Sequence, residues 1–231
     1  MIDSIRNDVA SRGITRLCHF TPSRSLAHIL AGGVGVLPSH LLEEEDRLLF
    51  NPTDLQRLDG HTNHICCSIE YPNAWYLDRV RKGEILFRDW VVIFAEPSVL
   101  AVEGTLFCPR NAAAGYGAYI AAGYDAYASM FAQSVAGAYG TVRSRTLLQL
   151  PCSPTDDQAE VLVADSIPLE SILALGVSSE TQAQMEHVRL DILGIDVSKL
   201  QFVVCPTLFD KNALSSSIRA GRRPSEKPWT P

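Results

Sequence analysis

The sequence predicts an α+β fold, a mixed β-sheet with flanking helices. Short apolar runs of strand character recur at residues 14–20, 64–69, 90–94, 159–163 and 202–205. Helix signals stand between several of these runs, which mixes the two element types along the chain. No internal repeat or linker divides the 231 residues, so a single domain over 1–231 is expected, its last part (210–231) a basic C-terminal tail.

The first run, Ile-Thr-Arg-Leu-Cys-His-Phe, alternates as a strand does. Thr21 and Pro22 then read as the N-cap and first position of a helix with Leu26, Ile29 and Leu30 as its buried stripe, ended by Gly32 and Gly33. Residues 34–63 read as irregular, with short helical pieces near 41–49 and 52–58. His-Ile-Cys-Cys-Ser-Ile at 64–69 is a second strand. Tyr71-Pro72-Asn73-Ala74-Trp75-Tyr76 breaks it and opens a helix that reaches Lys82 and closes at Gly83. Residues 90–94 are almost continuously apolar, the pattern of a strand covered on both faces.

Residues 105–151 hold five of the seven tyrosines among many alanines and glycines. A helix over 118–133 would place Tyr119, Tyr127 and Phe131 near one face, either under a core or as bases' stacking partners. Residues 159–163 lie between Pro154 and Pro168 and read as a strand; Ile167 and 172–177 continue as strand or turn. Ser178 starts a helix leading into Met185, Val188, Leu190 and Ile192. A last strand at 202–205 precedes a polar, basic tail over 215–231.

Composition excludes several classes. Hydrophobic residues make up 46% and charged residues 20%, ordinary for a globular protein, and no apolar run is long enough to span a membrane. The N-terminus has no apolar signal core, so a cytoplasmic location is expected. Six cysteines form no paired framework and read as reduced thiols. A net charge of −6 and pI near 5.5 argue against a general polyanion binder. Basic residues are nonetheless gathered locally: five against one acidic over 211–231, and Arg110, Arg143 and Arg145 against Asp125 over 105–151.

The candidate site begins with Glu160, because a carboxylate at the head of an apolar strand is costly to bury without a partner. Gln158, two positions earlier, would share its face on a strand. His61, His64, Cys66 and Cys67 are ligand types, but adjacent strand cysteines point to opposite faces, so no metal is expected. Gly32-Gly33-Val34-Gly35 follows a helix instead of opening one, so it is no phosphate loop. What remains is one polar group per strand: His19 with Thr21, then Ser68, then Glu160.

That order resembles the ADP-ribosyltransferase pattern. The local wording resembles the DarT family, DNA ADP-ribosyltransferase toxins of toxin–antitoxin systems. The likeness lies in His19-Phe20-Thr21 before a Leu-x-x-Ile-Leu helix, in residues 57–76, and in Gln-Ala-Glu-Val-Leu-Val at 158–163. It implies an ADP-ribosyltransferase-like split sheet that binds NAD as co-substrate and transfers ADP-ribose to a base of single-stranded DNA. It also implies a macrodomain antitoxin as partner. His19, Thr21 and Ser25 would hold the nicotinamide side of NAD, with Ser68, Tyr71 and Trp75 as further contacts. Glu160 would be catalytic, together with Arg57 or its rival Arg47. Tyr116, Tyr119, Arg143 and Arg145 would bind DNA. The resemblance leaves thymine and guanine both open as acceptors. RNA or protein modification, or a non-catalytic nucleic-acid-binding module, are the alternatives.

Overall fold

The computed structural model describes residues 2–31, 33–42, 58–84, 87–137 and 140–231. Its α-helices are α1 (Ile2–Arg12), α2 (Leu26–Ala31), α3 (Ala74–Gly83), α4 (Gly123–Ser129), α5 (Glu180–Ile192) and α6 (Lys211–Arg219). The strands are β1 (Leu17–Pro22), β2 (His64–Ile69), β3 (Trp90–Ala95), β4 (Leu106–Cys108), β5 (Ala121–Ala122), β6 (Ser134–Ala136), β7 (Val142–Ser144), β8 (Glu160–Ala164), β9 (Ile172–Val177), β10 (Phe202–Val204) and β11 (Lys227–Trp229).

Among the described residues nine strands form one sheet in the order β11-β10-β9-β3-β1-β2-β8-β4-β5, and β6 and β7 form a separate hairpin. Neighbours run antiparallel except β9 and β10, which are parallel and joined by the crossover helix α5. β3 is buried along its whole length, as its unbroken apolar sequence requires, and pairs with β1 from Leu17↔Ala95 to Pro22↔Trp90.

The feature that positions the site is a split. β1 pairs with β2 only at Leu17↔Ile69 and Cys18↔Ser68. Beyond those two rungs β1 stays with β3, while β2 follows β8 from Cys67↔Val161 to His64↔Ala164. The rest of β1 and the rest of β2 therefore form the two lips of a cleft.

Several local expectations are corrected. Thr21 and Pro22 belong to β1, because the ladder to β3 holds them extended (Pro22 ψ 139°); a short 3-10 turn, Ser23–Ser25, precedes α2. The helix expected over 118–133 shrinks to α4, since Tyr116, Gly117 and Gly123 take positive φ and turn the chain. Gln158 lies in the turn before β8, its N–H bonded to Asp156 Oδ1 at 2.9 Å, so it does not share a strand face with Glu160. In α5 the buried residues are Gln182, Ala183, Glu186 and Leu190, whereas Met185, Val188 and Ile192 are exposed. Polar anchors choose that face: Gln182 Nε2 donates to Trp90 O (2.9 Å), and Arg189, paired with Glu186, donates to Ser23 O (2.7 Å).

The basic C-terminal stretch is folded back. It supplies α6 and the edge strand β11, with Arg223 on Glu70 (2.7 Å) and Glu226 on Arg16. Helix α1, with Ile5 and Val9 buried four apart, was not anticipated. The expected helical pieces at 41–49 and 52–58 lie almost wholly outside the described residues, as do Arg47 and Arg57. Among the described residues no helix is long and apolar enough to cross a membrane.

Candidate active site

The cleft between β1 and β2 encloses about 180 Å³. β1 gives one lip with His19, Phe20 and Thr21, and β2 gives the other with Cys66, Cys67 and Ser68. Ser25 and His28 follow from the 3-10 turn and α2, and Tyr76 comes from α3. Residues 35–39 close a third side, and that approach demands glycine: a Cβ on Gly35 (φ +85°) would lie 2.1 Å from Ile167 O.

His19 bridges the lips, its Nδ1 2.9 Å from Cys66 O. A carbonyl only accepts, so Nδ1 carries a proton. The lining mixes hydroxyls and imidazole with an apolar floor of Phe20, Ile29, Val36 and Leu37. Such a surface suits a flat ring bearing an amide beside a polyhydroxylated sugar.

Glu160 opens β8, one strand beyond the β2 lip. Continuing the β2–β8 register by one residue sets Ser68 opposite Glu160 on the same face. The Glu160 carboxylate is buried and held by donors from two sides. Asn73 Nδ2 donates to Oε1 at 3.0 Å; from the segment after β4, Ala112 N donates to Oε2 at 2.7 Å and Asn111 Nδ2 to Oε1 at 3.4 Å. A buried carboxylate with several donors is oriented before any ligand arrives. Around it the Cys108 thiol is pushed by burial up to about 11, and burial also raises Cys67 and Asp156. These thiols therefore stay neutral near pH 7.

His19, Thr21, Ser25 and Ser68 are brought together at the cleft, with Glu160 adjoining through Asn73. Tyr71 is not: it is buried in the core, with Arg16 Cζ 5.7 Å from its ring centroid. Trp75 lines a second hollow, behind Ser68, with Lys211 Nζ 4.9 Å from its ring. Tyr76, one residue further round α3, takes the cleft position, 6.0 Å from the Phe20 ring.

The segment after β4 leads outward. Arg110 is buried with its guanidinium 4.6 Å from the Tyr119 ring, and Tyr119 and Tyr116 are exposed, the latter by 82%. Gly117 lets this turn press against residue 59, where a Cβ would meet Asp59 O at 2.6 Å. Tyr127 and Phe131 are core residues, their rings 5.4 Å apart. Arg143 is exposed on β7, but Arg145 is spent on the fold: Nη1 donates to Ser153 O (2.8 Å) and Nη2 to Leu150 O (2.9 Å).

Sequence reasoning missed Asn73, Asn111, Ala112 and Tyr76. Asn73 carried a usable signal, since an asparagine after a proline and before a helical run is a capping residue. The contacts of Asn111 and Ala112 had none, because they depend on pairing β4 with β8.

With this geometry, a family model described as DarT, ssDNA thymidine ADP-ribosyltransferase, matches residues 18–210. The chain belongs to the DarT family. Among solved structures, Thermus sp. 2.9 DarT in complex with NAD+ is similar at TM-score 0.52 and 16% identity, covering 78% of this chain and 90% of that one. The same DarT in complex with carba-NAD+ gives 0.50 and 14%, with coverage of 78% and 90%. Thermosipho africanus DarTG in complex with ADP-ribose gives 0.50 and 13%, covering 84% of this chain and 51% of that chain. At these identities the likeness speaks for the fold, which is the split ADP-ribosyltransferase sheet expected from the sequence. A comparison with curated proteins finds no match.

Proposed function

We propose that this DarT-family chain transfers ADP-ribose from NAD+ to thymidine in single-stranded DNA, acting as a toxin in the cytoplasm. The family model describes that reaction, and the similar Thermus DarT is in complex with NAD+. The observation that supports it most is the split of β1 from β2, with His19 and Thr21 on one lip and the donor-held Glu160 just past the other.

In this reading His19, Thr21 and Ser25 bind the nicotinamide amide and its ribose, and Tyr76 packs on the ring. Bound NAD+ supplies an ADP-ribosyl group that leaves its nicotinamide with positive charge growing on the ribose. Glu160, held in place by its donors, would stabilise that charge, since a pre-oriented carboxylate needs no reorganisation during the reaction. Thymine in DNA has a single ring N–H, so its nitrogen must lose a proton to attack. In this reading Glu160 takes it. Arg57 or Arg47 would steady the negative charge that deprotonation puts on the base. Tyr116 and Tyr119 offer exposed faces for stacking, and Arg143 offers a cation for phosphate. The proposed partner is a macrodomain antitoxin.

The test is transfer from labelled NAD+ to short oligonucleotides. A thymidine-containing single strand should be labelled. Strands without thymidine, the same sequence as RNA, and protein acceptors should not. Labelling of RNA or protein with DNA left blank would replace the substrate part of the reading, and no labelling at all would favour a non-catalytic binding module.

A further inference from the structure

We propose that Asn73 is a positioning residue for Glu160, fixing the carboxylate and tying it to the cleft. The proposal rests on the functional reading above.

Asn73 is only 1% exposed and every polar group it has is engaged. Its N–H donates to Ser68 Oγ at 3.1 Å, its Oδ1 accepts the Tyr76 N–H at 3.0 Å, and its Nδ2 donates to Glu160 Oε1 at 3.0 Å. The amide cannot be turned over. Tyr76 N–H requires an acceptor and Glu160 Oε1 a donor, so Oδ1 faces the helix and Nδ2 the carboxylate.

Asn73 thus meets Ser68 and Tyr76, which line the cleft, and Glu160, which adjoins it. The turn that delivers it is itself pinned. Glu70, buried and at φ 64°, accepts from Thr15 N (2.7 Å) and from Arg223 (2.7 Å). A side chain placed this rigidly can set a rotamer next door.

The bland role is that Asn73 merely caps α3. Aspartate and serine cap helices as well as asparagine does. Aspartate loses the donor for Glu160 and adds a like charge beside it, and the serine hydroxyl ends one bond short of where Nδ2 meets the carboxylate. Among the described residues, Cys67 on β2 and Cys108 on β4 lie within electrostatic reach of Glu160, and Asp156 and Arg110 act on Cys108 beside it. None of them donates to the carboxylate, whose donors among the described residues are Asn73, Asn111 and Ala112, and Arg110 is turned to Tyr119.

The experiment compares Asn73→Asp and Asn73→Ser with the wild type: melting, kcat, KM for NAD+, and the pH–rate profile of transfer to a thymidine oligonucleotide. Both variants should stay folded, with Tm lowered by the lost bond, and lose about 10–100-fold in kcat, the weight of one hydrogen bond to a charged group, with KM changed far less. In Asn73→Asp the acid limb should also move up by about one pH unit or more, since two adjacent carboxylates resist double ionisation. Full kcat in Asn73→Ser, or an unshifted acid limb in a folded Asn73→Asp, would overturn the proposal. If Asn73→Asp does not fold, the kcat of Asn73→Ser decides. Glu160→Gln is the control: if it is active, the functional reading falls. If it is inactive while both Asn73 variants are fully active, only this inference falls.

Discussion

Arg143 and Arg145 are two residues apart, yet the structure gives them opposite work, and substituting them singly separates the roles. Arg145 closes the 150–155 turn with charge-assisted bonds to two carbonyls, Ser153 O at 2.8 Å and Leu150 O at 2.9 Å. Burial lowers its pKa, so it is partly withdrawn from water. A bond to a charged group is worth about 1.5–3 kcal/mol, and the half-exposed setting keeps the two together near 2–4 kcal/mol. In a domain of this size that lowers Tm by about 4–16 °C. Arg143 is exposed on β7, so Arg143→Ala should change stability by no more than about 0.5 kcal/mol. It should instead reduce the slope of log affinity against log salt for a single strand by about 0.7, one phosphate's share. Calorimetric melting and strand binding at two or more salt concentrations, done on both variants, make the assay. The reasoning fails if Arg145→Ala melts like the wild type, or if Arg143→Ala leaves the salt slope untouched.

Three further outcomes follow from the same geometry. Burial raises the Asp156 carboxyl, so the folded state holds that proton to higher pH than the unfolded chain. Its stabilising contribution is full below the ordinary aspartate range and is lost as pH climbs through the raised value. Asp156→Asn, which keeps the acceptor for Gln158 N–H, should therefore raise Tm at pH 7, with the gain vanishing below about pH 4; equal gains at both pH values would refute it. Cys66 is half-buried in the cleft, whereas the other five thiols are buried, so iodoacetamide should label Cys66 first and NAD+ should slow it. Labelling that ignores NAD+ would place the ligand elsewhere. Tyr76→Ala should weaken NAD+ binding by several-fold while Tyr71→Phe leaves it unchanged, a contrast that titration calorimetry reads directly.

The strands that build the site were legible because their signals are local. The unbroken apolar run of β3 announced a central strand, and the polar residue on each of β1, β2 and β8 marked candidate site residues, whereas the split between β1 and β2 came only from the family resemblance. Boundaries failed where long-range pairing overrode local preference. Thr21-Pro22 reads as a helix start, yet six rungs to β3 keep it extended. In α5 Met185, Val188 and Ile192 stay exposed while Gln182 and Glu186 are buried, because these two carry bonds that only the folded chain supplies. Arg145 looked like a surface cation because nothing in its own neighbourhood reveals carbonyls five to eight residues away. Tyr71 and Tyr76 could not be ranked without knowing that Asn73 starts the helix between them and turns Tyr76 toward the cleft.

The central claim is that Glu160 is the carboxylate that both stabilises the ribose and takes the thymine proton. Glu160→Gln tests it most directly, since glutamine has nearly the same shape and still accepts from Ala112 N at Oε2's place. Its NH2 then faces the Asn73 and Asn111 amides, which is why melting is recorded beside the rate. The measurement is single-turnover transfer from saturating labelled NAD+ to a thymidine oligonucleotide, with melting and NAD+ affinity recorded on the same preparation. The account predicts a loss of hundreds-fold or more, about 10²–10⁴, with NAD+ still bound and the fold intact. Transfer within a few-fold of the wild type by a folded, NAD+-binding Glu160→Gln would contradict it.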